Sequence, residues 1–281
     1  MSISSMVPAA LSLSSAAAWG TADFSGGLAA KRTSAFAIVV VAHGTGLLFM
    51  LALALGWHDP LPGRAALLWG CAAGVSGGVG LAALYRALAV GTMGINAPVA
   101  AVITAMLPVM VSFRTEGPPG ALRLVGFGVA LISIWLIAMP AGEMGRPRGL
   151  GLAVLAGIGF SGFLVLSRQA GQHSLFWPLA TARLASLCLM LIMLAVTRAE
   201  WKPNPRLLGY MIAAGLLDAG GNALFVLATQ RGRLDVAAVL SSFYPASTVL
   251  LARFVLKERI TLLQGTGLAG ALISLPLIAA R

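Results

Sequence analysis

The chain contains very little charge for its length. Only 10% of its 281 residues are Asp, Glu, Lys or Arg, and only 8 of these are acidic, whereas 59% are hydrophobic. A water-soluble protein needs about a quarter of its residues charged to cover its surface. Since the mean hydropathy is +0.93, the composition excludes a soluble domain and indicates that lipid surrounds most of these side chains.

Two further scarcities exclude other classes of function. The chain has 2 cysteines and 3 histidines, and both Cys71 and Cys188 lie in apolar runs, so neither a disulfide framework nor a metal site is expected. The formal charge is +11, but the basic residues lie in short pairs between apolar runs. This is typical of headgroup contacts beside membrane spans, so nucleic-acid binding is not expected. No cofactor and no metal are predicted.

Long apolar runs fill most of the sequence. A helix needs roughly 20 apolar residues to cross the hydrocarbon core of a bilayer, and short polar breaks divide the chain into runs of about this length. The predicted spans are 8–29, 34–56, 65–89, 94–113, 120–139, 149–168, 175–197, 206–228, 234–255 and 261–280. The prediction is an all-α, polytopic membrane protein with ten transmembrane helices and no domain outside the bilayer.

The chain repeats itself over half its length. Residues 130–138 and 271–279 share seven of nine identities at an offset of 141, and residues 99–108 and 236–245 share five of ten. This predicts two five-helix repeats, 1–141 and 142–281, in one integral-membrane unit. Because each repeat has an odd number of spans, the second is expected to be inverted relative to the first, as in many secondary transporters.

Two short motifs add to this organisation. Leu84-Tyr85-Arg86-Ala87-Leu88 precedes the fourth span, which carries Pro108, and Leu256-Lys257-Glu258-Arg259 follows Pro245 in the second copy. With ten spans in two sets of five, these features resemble the drug/metabolite transporter superfamily and, within it, the EamA-type exporters, which include bacterial (aromatic) amino-acid exporters. The resemblance implies a central cavity lined by spans 1–4 and 6–9.

Ionisable residues inside the predicted spans are candidates for function. Each costs about 2.5–3.5 kcal/mol at the centre of a membrane helix and therefore requires an explanation. Internal pairing, for example Asp218 with Arg183 or Asp23 with Arg86, and contact with substrate are both open. The candidates for the substrate cavity are Trp19, Asp23, His43, Tyr85, Thr104, Phe160, Ser161, Arg183, Asp218, Asn222, Ser241, Ser242 and Tyr244.

Proline and glycine indicate where helices bend and pack. Pro108 and Pro245 lie at matching repeat positions and free the carbonyl groups four residues earlier, which predicts hinges near the membrane midplane. The alternative is a kink in which the nearby hydroxyl bonds its own backbone. Gly70, Gly74 and Gly78 recur every fourth residue and predict a close-packing face, and the glycines of span 10 are expected to do the same.

These observations predict a transporter and not an enzyme. We expect export of small metabolites, most of all amino acids, by alternating access across the inner (cytoplasmic) membrane of a bacterium, with a monomer as a possible state. Arg183 is a candidate for binding a substrate carboxylate. The alternative is a proton-coupled exporter of lipophilic or cationic drugs. A membrane-embedded enzyme is the rival from another class, but the sequence shows no nucleophile or metal-binding motif.

Overall fold

The computed structural model describes residues 3–30, 33, 35–90, 93–139, 148–198, 201 and 204–279. Within these ranges every regular element is helical. The α-helices are α1 (Ile3–Ala30), α2 (Ala35–Gly56), α3 (Arg64–Val90), α4 (Met93–Thr115), α5 (Ala121–Ala138), α6 (Leu150–Ala170), α7 (Phe176–Thr197), α8 (Leu208–Arg231), α9 (Leu234–Ser241), α10 (Tyr244–Val255) and α11 (Leu262–Ala279). A helix satisfies its own backbone groups, as lipid requires.

Nine of the described helical segments are long and apolar enough to cross a membrane, with α9 and α10 together forming one of them. The chain is therefore a multi-pass membrane protein. The predicted first span, α1, has sufficient length but falls outside this set. Its polar residues, among them Ser12, Ser15 and Asp23, lower its hydropathy, and it packs inside the bundle against α8, α9 and α10.

The predicted ninth span, 234–255, is confirmed as a candidate membrane span, and it consists of two helices, α9 and α10. It is interrupted at Ser242 and Phe243, and Pro245 lies in the first turn of the helix that follows. The proline ring removes the N–H that would continue the ladder to Ser241. The Ser242 hydroxyl also competes for the backbone, since it donates to the Ala238 carbonyl at 2.8 Å.

Helix packing mixes the two halves of the chain. α1 packs on α8, α3 packs on α6 and α7, and α2 packs on α7 and α8. α4 contacts both α6 and α9, while α5 and α11 pack on each other and share a core with α1, α4 and α9. The structure thus interleaves the five helices of the first half with those of the second, and residues from both halves meet in its interior.

The glycine face predicted on α3 is confirmed. A β-carbon on Gly70 or Gly74 would collide with the backbone of α7, and one on Gly78 would lie 2.9 Å from Leu189 Cδ2 of that helix. In span 10, Gly267 packs against α5 in the same way, but Gly265 has open space around it, so that part of the prediction is wrong. Among the described residues, no atom lies within 4 Å of a β-carbon placed on Gly265.

The start of α7 is fixed by a residue from another loop. Asp59 Oδ2 accepts hydrogen bonds from the N–H groups of Leu175 and Phe176 at 3.1 and 2.7 Å, and from Ser174 Oγ at 2.9 Å. The first N–H groups of a helix have no partner within the helix, and a carboxylate there also interacts favourably with the helix dipole. Asp59 therefore anchors the α2–α3 loop to α7.

Candidate functional site

Four ionisable side chains from four different helices lie close together inside the bundle. We call Asp23 of α1, His43 of α2, Arg183 of α7 and Asp218 of α8 the central cluster. Arg183 and Asp218 form an ion pair, which confirms one of the two pairings expected from the sequence. His43 interacts electrostatically with both of them, and Asp23 interacts with Asp218.

The second expected pairing, Asp23 with Arg86, is wrong. Among the described residues no ion pair joins them, and the Arg86 side chain is exposed near the end of α3. The reason is the packing: α3 lies against α6 and α7, whereas α1 lies against α8, α9 and α10. Arg86 is therefore on a different part of the bundle from the carboxylate that it was expected to neutralise.

The members of the central cluster differ in accessibility. Arg183 and His43 are buried, at 7% and 9% exposure. The Asp218 side chain is 36% exposed although it pairs with Arg183. Asp23 is also exposed, and no hydrogen bond or ion pair to it occurs among the described residues. The guanidinium is therefore enclosed and paired, while the two carboxylates remain accessible.

A glycine and a serine position the two buried members of the central cluster, Arg183 and His43. A β-carbon on Gly46 of α2 would lie 3.4 Å from Arg183 Nε, so the absence of a side chain there leaves room for the guanidinium. Ser186 Oγ lies 3.0 Å from His43 Nδ1 and orients the imidazole. Ser186 was not among the predicted residues. Its position one helical turn after Arg183, on the same face, was the available signal.

An aromatic residue lies beside the cluster. Trp19 Nε1 donates to Asn222 Oδ1 at 2.9 Å, and its ring centroid lies 5.9 Å from that of Phe225. Its indole covers Gly221, where a β-carbon would lie 2.5 Å from Cδ1. Phe160 occupies the corresponding place over Gly80 on α6 and α3. Both aromatics are half-buried, and their contact with substrate stays a prediction.

The two prolines act differently. α4 continues through Pro108, and Thr104 Oγ1 donates to its own helix at the Ala100 carbonyl, 2.8 Å away. The Thr104 carbonyl, which Pro108 leaves without its usual donor, lies 3.3 Å from Ser161 Oγ of α6. Here the threonine hydroxyl bonds its own backbone, as in the alternative expected from the sequence, and the helix is uninterrupted at Pro108 but broken before Pro245.

The interruption between α9 and α10 adjoins the central cluster. Tyr244, the first residue of α10, interacts electrostatically with Asp23. The Tyr244 carbonyl lies where a β-carbon of Gly20 would be, so α1 and α10 approach at this point without an intervening side chain. Ser241 Oγ donates to the Ser12 carbonyl at 3.2 Å.

The backbone of Tyr85, another predicted cavity residue, belongs to α3, but its side chain lies outside the described residues.

A second group of charges lies at the end of the bundle where α1 begins. We call Glu116, Arg168, Arg233 and Asp235 the end cluster. Glu116 forms an ion pair with Arg168, and its Oε2 lies 3.8 Å from Arg233 Nε. Arg233 Nη2 also lies 2.7 Å from Asp235 Oδ2. Hydrogen bonding to Asp235, together with the negative charges of Asp235 and Glu116, raises the pKa of Arg233 above its usual value.

Cavities open near both ends of the bundle. One of about 230 Å³ is lined by Arg168, Gln172, Thr229 and Gln230 beside the end cluster, and one of about 360 Å³ is lined by Arg253, Arg259 and Ile260 at the opposite end. Within the described ranges no three His, Cys, Asp or Glu residues lie close enough to hold a metal ion together. A cavity at the centre stays a prediction.

Comparison with known proteins gives two similarities. Residues 147–280 match the model of the EamA-like transporter family, so an EamA-like domain is present in the second half of the chain. A solved crystal structure superposes with a TM-score of 0.79 and 17% sequence identity, covering 96% of this chain and 95% of the other. At that identity the likeness shows the fold alone. No curated protein matches the chain.

Proposed function

We propose that this protein is a carrier that exports small amine-bearing metabolites, amino acids above all, across the inner membrane of a bacterium. The multi-pass architecture and the EamA-like domain support a membrane transporter of small molecules. The observation that carries the substrate class is the charge of the central cluster. It holds two carboxylates, Asp23 and Asp218, against the single guanidinium of Arg183.

This imbalance favours a cation as ligand. Charged groups within a membrane need a partner of opposite sign, because lipid provides no compensating solvation. Arg183 neutralises Asp218, and Asp23 has no such partner among the described residues. A substrate ammonium group placed beside Asp23 would supply the missing positive charge. The enclosed guanidinium is directed to Asp218, so it favours an amine over a free carboxylate as the main feature of the substrate.

We also propose that the two halves are inverted repeats, with equivalent contacts at their interface. A β-carbon on Gly126 would lie 2.9 Å from Ile278 Cγ1, and one on Gly267 would lie 2.9 Å from Ile137 Cγ1. Gly126 and Gly267 are separated by the repeat offset of 141, and so are Ile137 and Ile278. Since the start of α5 meets the end of α11 and the reverse also holds, these helices run antiparallel. A twofold axis in the membrane plane would produce this reciprocity.

Alternating access follows from two halves that hold different conformations. In such carriers the two repeats exchange conformations, which moves the opening from one side of the membrane to the other. Equivalent spans should then differ in any one state. Span 4 is continuous through Pro108, whereas span 9 is interrupted just before Pro245. This difference at matching positions supports a carrier in one of its two states.

A second candidate function is proton-coupled export of lipophilic cations. The same unpaired carboxylate at Asp23 favours it, because a carboxylate that binds an organic cation in one state can bind a proton in the other. The half-buried ring of Trp19 nearby would suit an apolar cation. The two candidates differ in whether the substrate also carries a carboxylate.

Purified protein reconstituted in liposomes tests the proposal. The measured quantity is the uptake of labelled amino acids, of the corresponding decarboxylated amines, of N-acetylated amino acids and of a lipophilic cation. We expect amino acids and amines to be transported and N-acetylated forms to be excluded. The variant Asp23→Asn should lower transport by about 10- to 100-fold, since a charge-assisted contact contributes about 1.5–3 kcal/mol.

Glu258→Gln provides the matched control, because it removes one acidic charge from an exposed loop at the end of α10. It should transport at the wild-type rate. Equal transport of amines and N-acetylated analogues would contradict the role of Asp23. Transport of the lipophilic cation alone would favour the second candidate. If the wild-type protein consumes an amine without moving it, the chain is an enzyme and the proposal fails.

A further inference from the structure

The end cluster joins helices that must separate if the bundle is to open at that end. Glu116 follows α4, Arg168 belongs to the last turn of α6, and Arg233 and Asp235 flank the start of α9. Glu116 Oε2 also accepts from Leu234 N–H at 3.2 Å. One carboxylate thus holds α4, α6 and α9 together through charged and backbone donors.

Further contacts reinforce this closure. Arg233 Nη1 and Nη2 donate to the carbonyl groups of Glu116 and Gly117 at 3.0 and 2.8 Å. Asp235 is fully buried, with 0% exposure, and its charge is matched by Arg233. The Gln230 side chain donates to the Gly171 carbonyl between α6 and α7. Charge-assisted hydrogen bonds of this kind are roughly twice as strong as neutral ones.

Among the described residues, the opposite end of the bundle has no equivalent of these ion pairs. The repeat assigns each member of the end cluster to a position there, with the offset of 137 for spans 4 and 9 and of 141 for spans 1 and 6. For Arg168, Arg233 and Asp235 the equivalent residues are Gly27, Asn96 and Pro98, and Glu116, which lies where the offset changes, falls within 253–257. None of these positions is acidic, so the same network cannot form.

The described residues at the opposite end form hydrogen bonds to carbonyl groups and not ion pairs, as the sequence comparison predicts. Arg253 donates to the carbonyl of Glu258 in the adjacent loop, 3.4 Å away. Asn96 donates to the carbonyl groups of Ala87 and Arg148 at 2.9 and 3.0 Å, which are neutral hydrogen bonds. In the part of the chain that the structure describes, no ion pair joins helices at this end.

We propose that the end cluster is a one-sided latch that sets the resting state of the carrier. It stabilises the conformation closed at the N-terminal end, and the opposite end, which lacks the latch, opens more readily. Two pseudo-equivalent halves would otherwise favour neither direction, so a network at one end alone biases the equilibrium between the two states. The inference rests on the proposed function, because it assumes that both ends can open.

Distances between spin labels test the latch without measuring transport. Both native cysteines are replaced by alanine, and one pair of labels is placed at Arg114 and Arg231, which are exposed beside the end cluster but outside it. A second pair at Thr197 and Leu256 reports on the opposite end. Wild-type protein without substrate should give one predominant short distance at the N-terminal end.

The variant Glu116→Gln should add a longer distance there and raise the ratio of open to closed molecules by about tenfold. The distance at the opposite end should shorten in the same variant. Glu258→Gln, which removes a charge from the unlatched end, should leave both distributions unchanged. If Glu116→Gln does not fold, Arg168→Gln removes one partner of the same carboxylate and should shift the ratio in the same direction.

The outcomes separate this inference from the proposed function. Unchanged distances in Glu116→Gln and Arg168→Gln, with normal transport by the wild-type protein, would overturn the latch alone. Longer distances at both ends would also overturn it, since a latch predicts opposite movements. If the wild-type protein neither transports an amine nor changes either distance when amines are added, the proposed function fails as well.

Discussion

Two glycines at the contact of α5 and α11 allow a quantitative test of the inverted repeat. A methyl group at Gly126 would lie 2.9 Å from Ile278 and Leu277, and one at Gly267 would lie 2.9 Å from Ile137 and Leu136. Contacts this short force the helices apart, and overpacking of this kind costs about 1–3 kcal/mol. Because the two surroundings are equivalent, Gly126→Ala and Gly267→Ala should destabilise the protein equally.

Thermal unfolding of the purified protein in detergent measures this effect. Each variant should lower the melting temperature by roughly 2–4 °C for every kcal/mol lost. The double variant should lose less than the sum of the two, because a single outward shift of α11 relieves both contacts. Gly128→Ala and Gly265→Ala are the controls, since no atom of the described residues lies within 4 Å of a β-carbon at either position.

The controls should be neutral or slightly stabilising, because alanine favours the helical backbone over glycine by about 0.5–1 kcal/mol. The reasoning would be refuted if Gly126→Ala and Gly267→Ala differed by more than the spread between the two controls. It would also be refuted if the two losses added fully, since independent sites would then carry them.

Three further predictions concern single contacts. Asp218→Asn leaves Arg183 buried without its counter-ion and should cost about 1–3 kcal/mol, less than for a fully buried pair because the carboxylate is partly exposed; unchanged thermal stability would contradict this. Ser161→Ala should cost about 0.5–1.5 kcal/mol, because its hydroxyl lies 2.9 Å from the Ile103 carbonyl of α4; unchanged thermal stability would count against this contact. Asp59→Ala should cost about 1 kcal/mol and speed hydrogen exchange at the start of α7; unaltered exchange would show that the cap is unimportant.

Composition alone was sufficient to predict the membrane architecture. Each transmembrane helix can be predicted from its own apolar run, because a helix in lipid forms its backbone hydrogen bonds internally and does not depend on its neighbours for them. Nine segments of the described chain have the expected length and apolarity. The exception is informative, since α1 packs against α8, α9 and α10, and hydropathy cannot show which helices are neighbours in a bundle.

Contacts between helices were predicted only where charge or spacing constrained them. The Arg183–Asp218 pair could be named because two opposite charges in lipid need each other. Asp23 and Arg86 satisfied the same rule and yet lie on different parts of the bundle, since charge does not determine which helices are neighbours. The end cluster was not predicted, because its members are distant in sequence and adjoin predicted loops. Charged residues in loops are expected to be solvated, so they do not indicate a partner.

The proline positions show how context changes a local signal. Pro108 and Pro245 match in the repeat, and the sequence predicted equal bends. In the structure Ser161 lies within hydrogen-bonding distance of the carbonyl that Pro108 leaves free, while the backbone before Pro245 is broken at Ser242. The difference arises from neighbouring helices, so a reading of either span by itself could not find it.

Counterflow in liposomes tests the carrier mechanism most directly. Vesicles containing the protein are loaded with an unlabelled amino acid, and the initial uptake of a trace of the labelled compound is measured against unloaded vesicles. A single site that faces one side at a time predicts faster uptake into the loaded vesicles, followed by a transient accumulation of label. Uptake at the same rate with and without the internal amino acid would contradict alternating access.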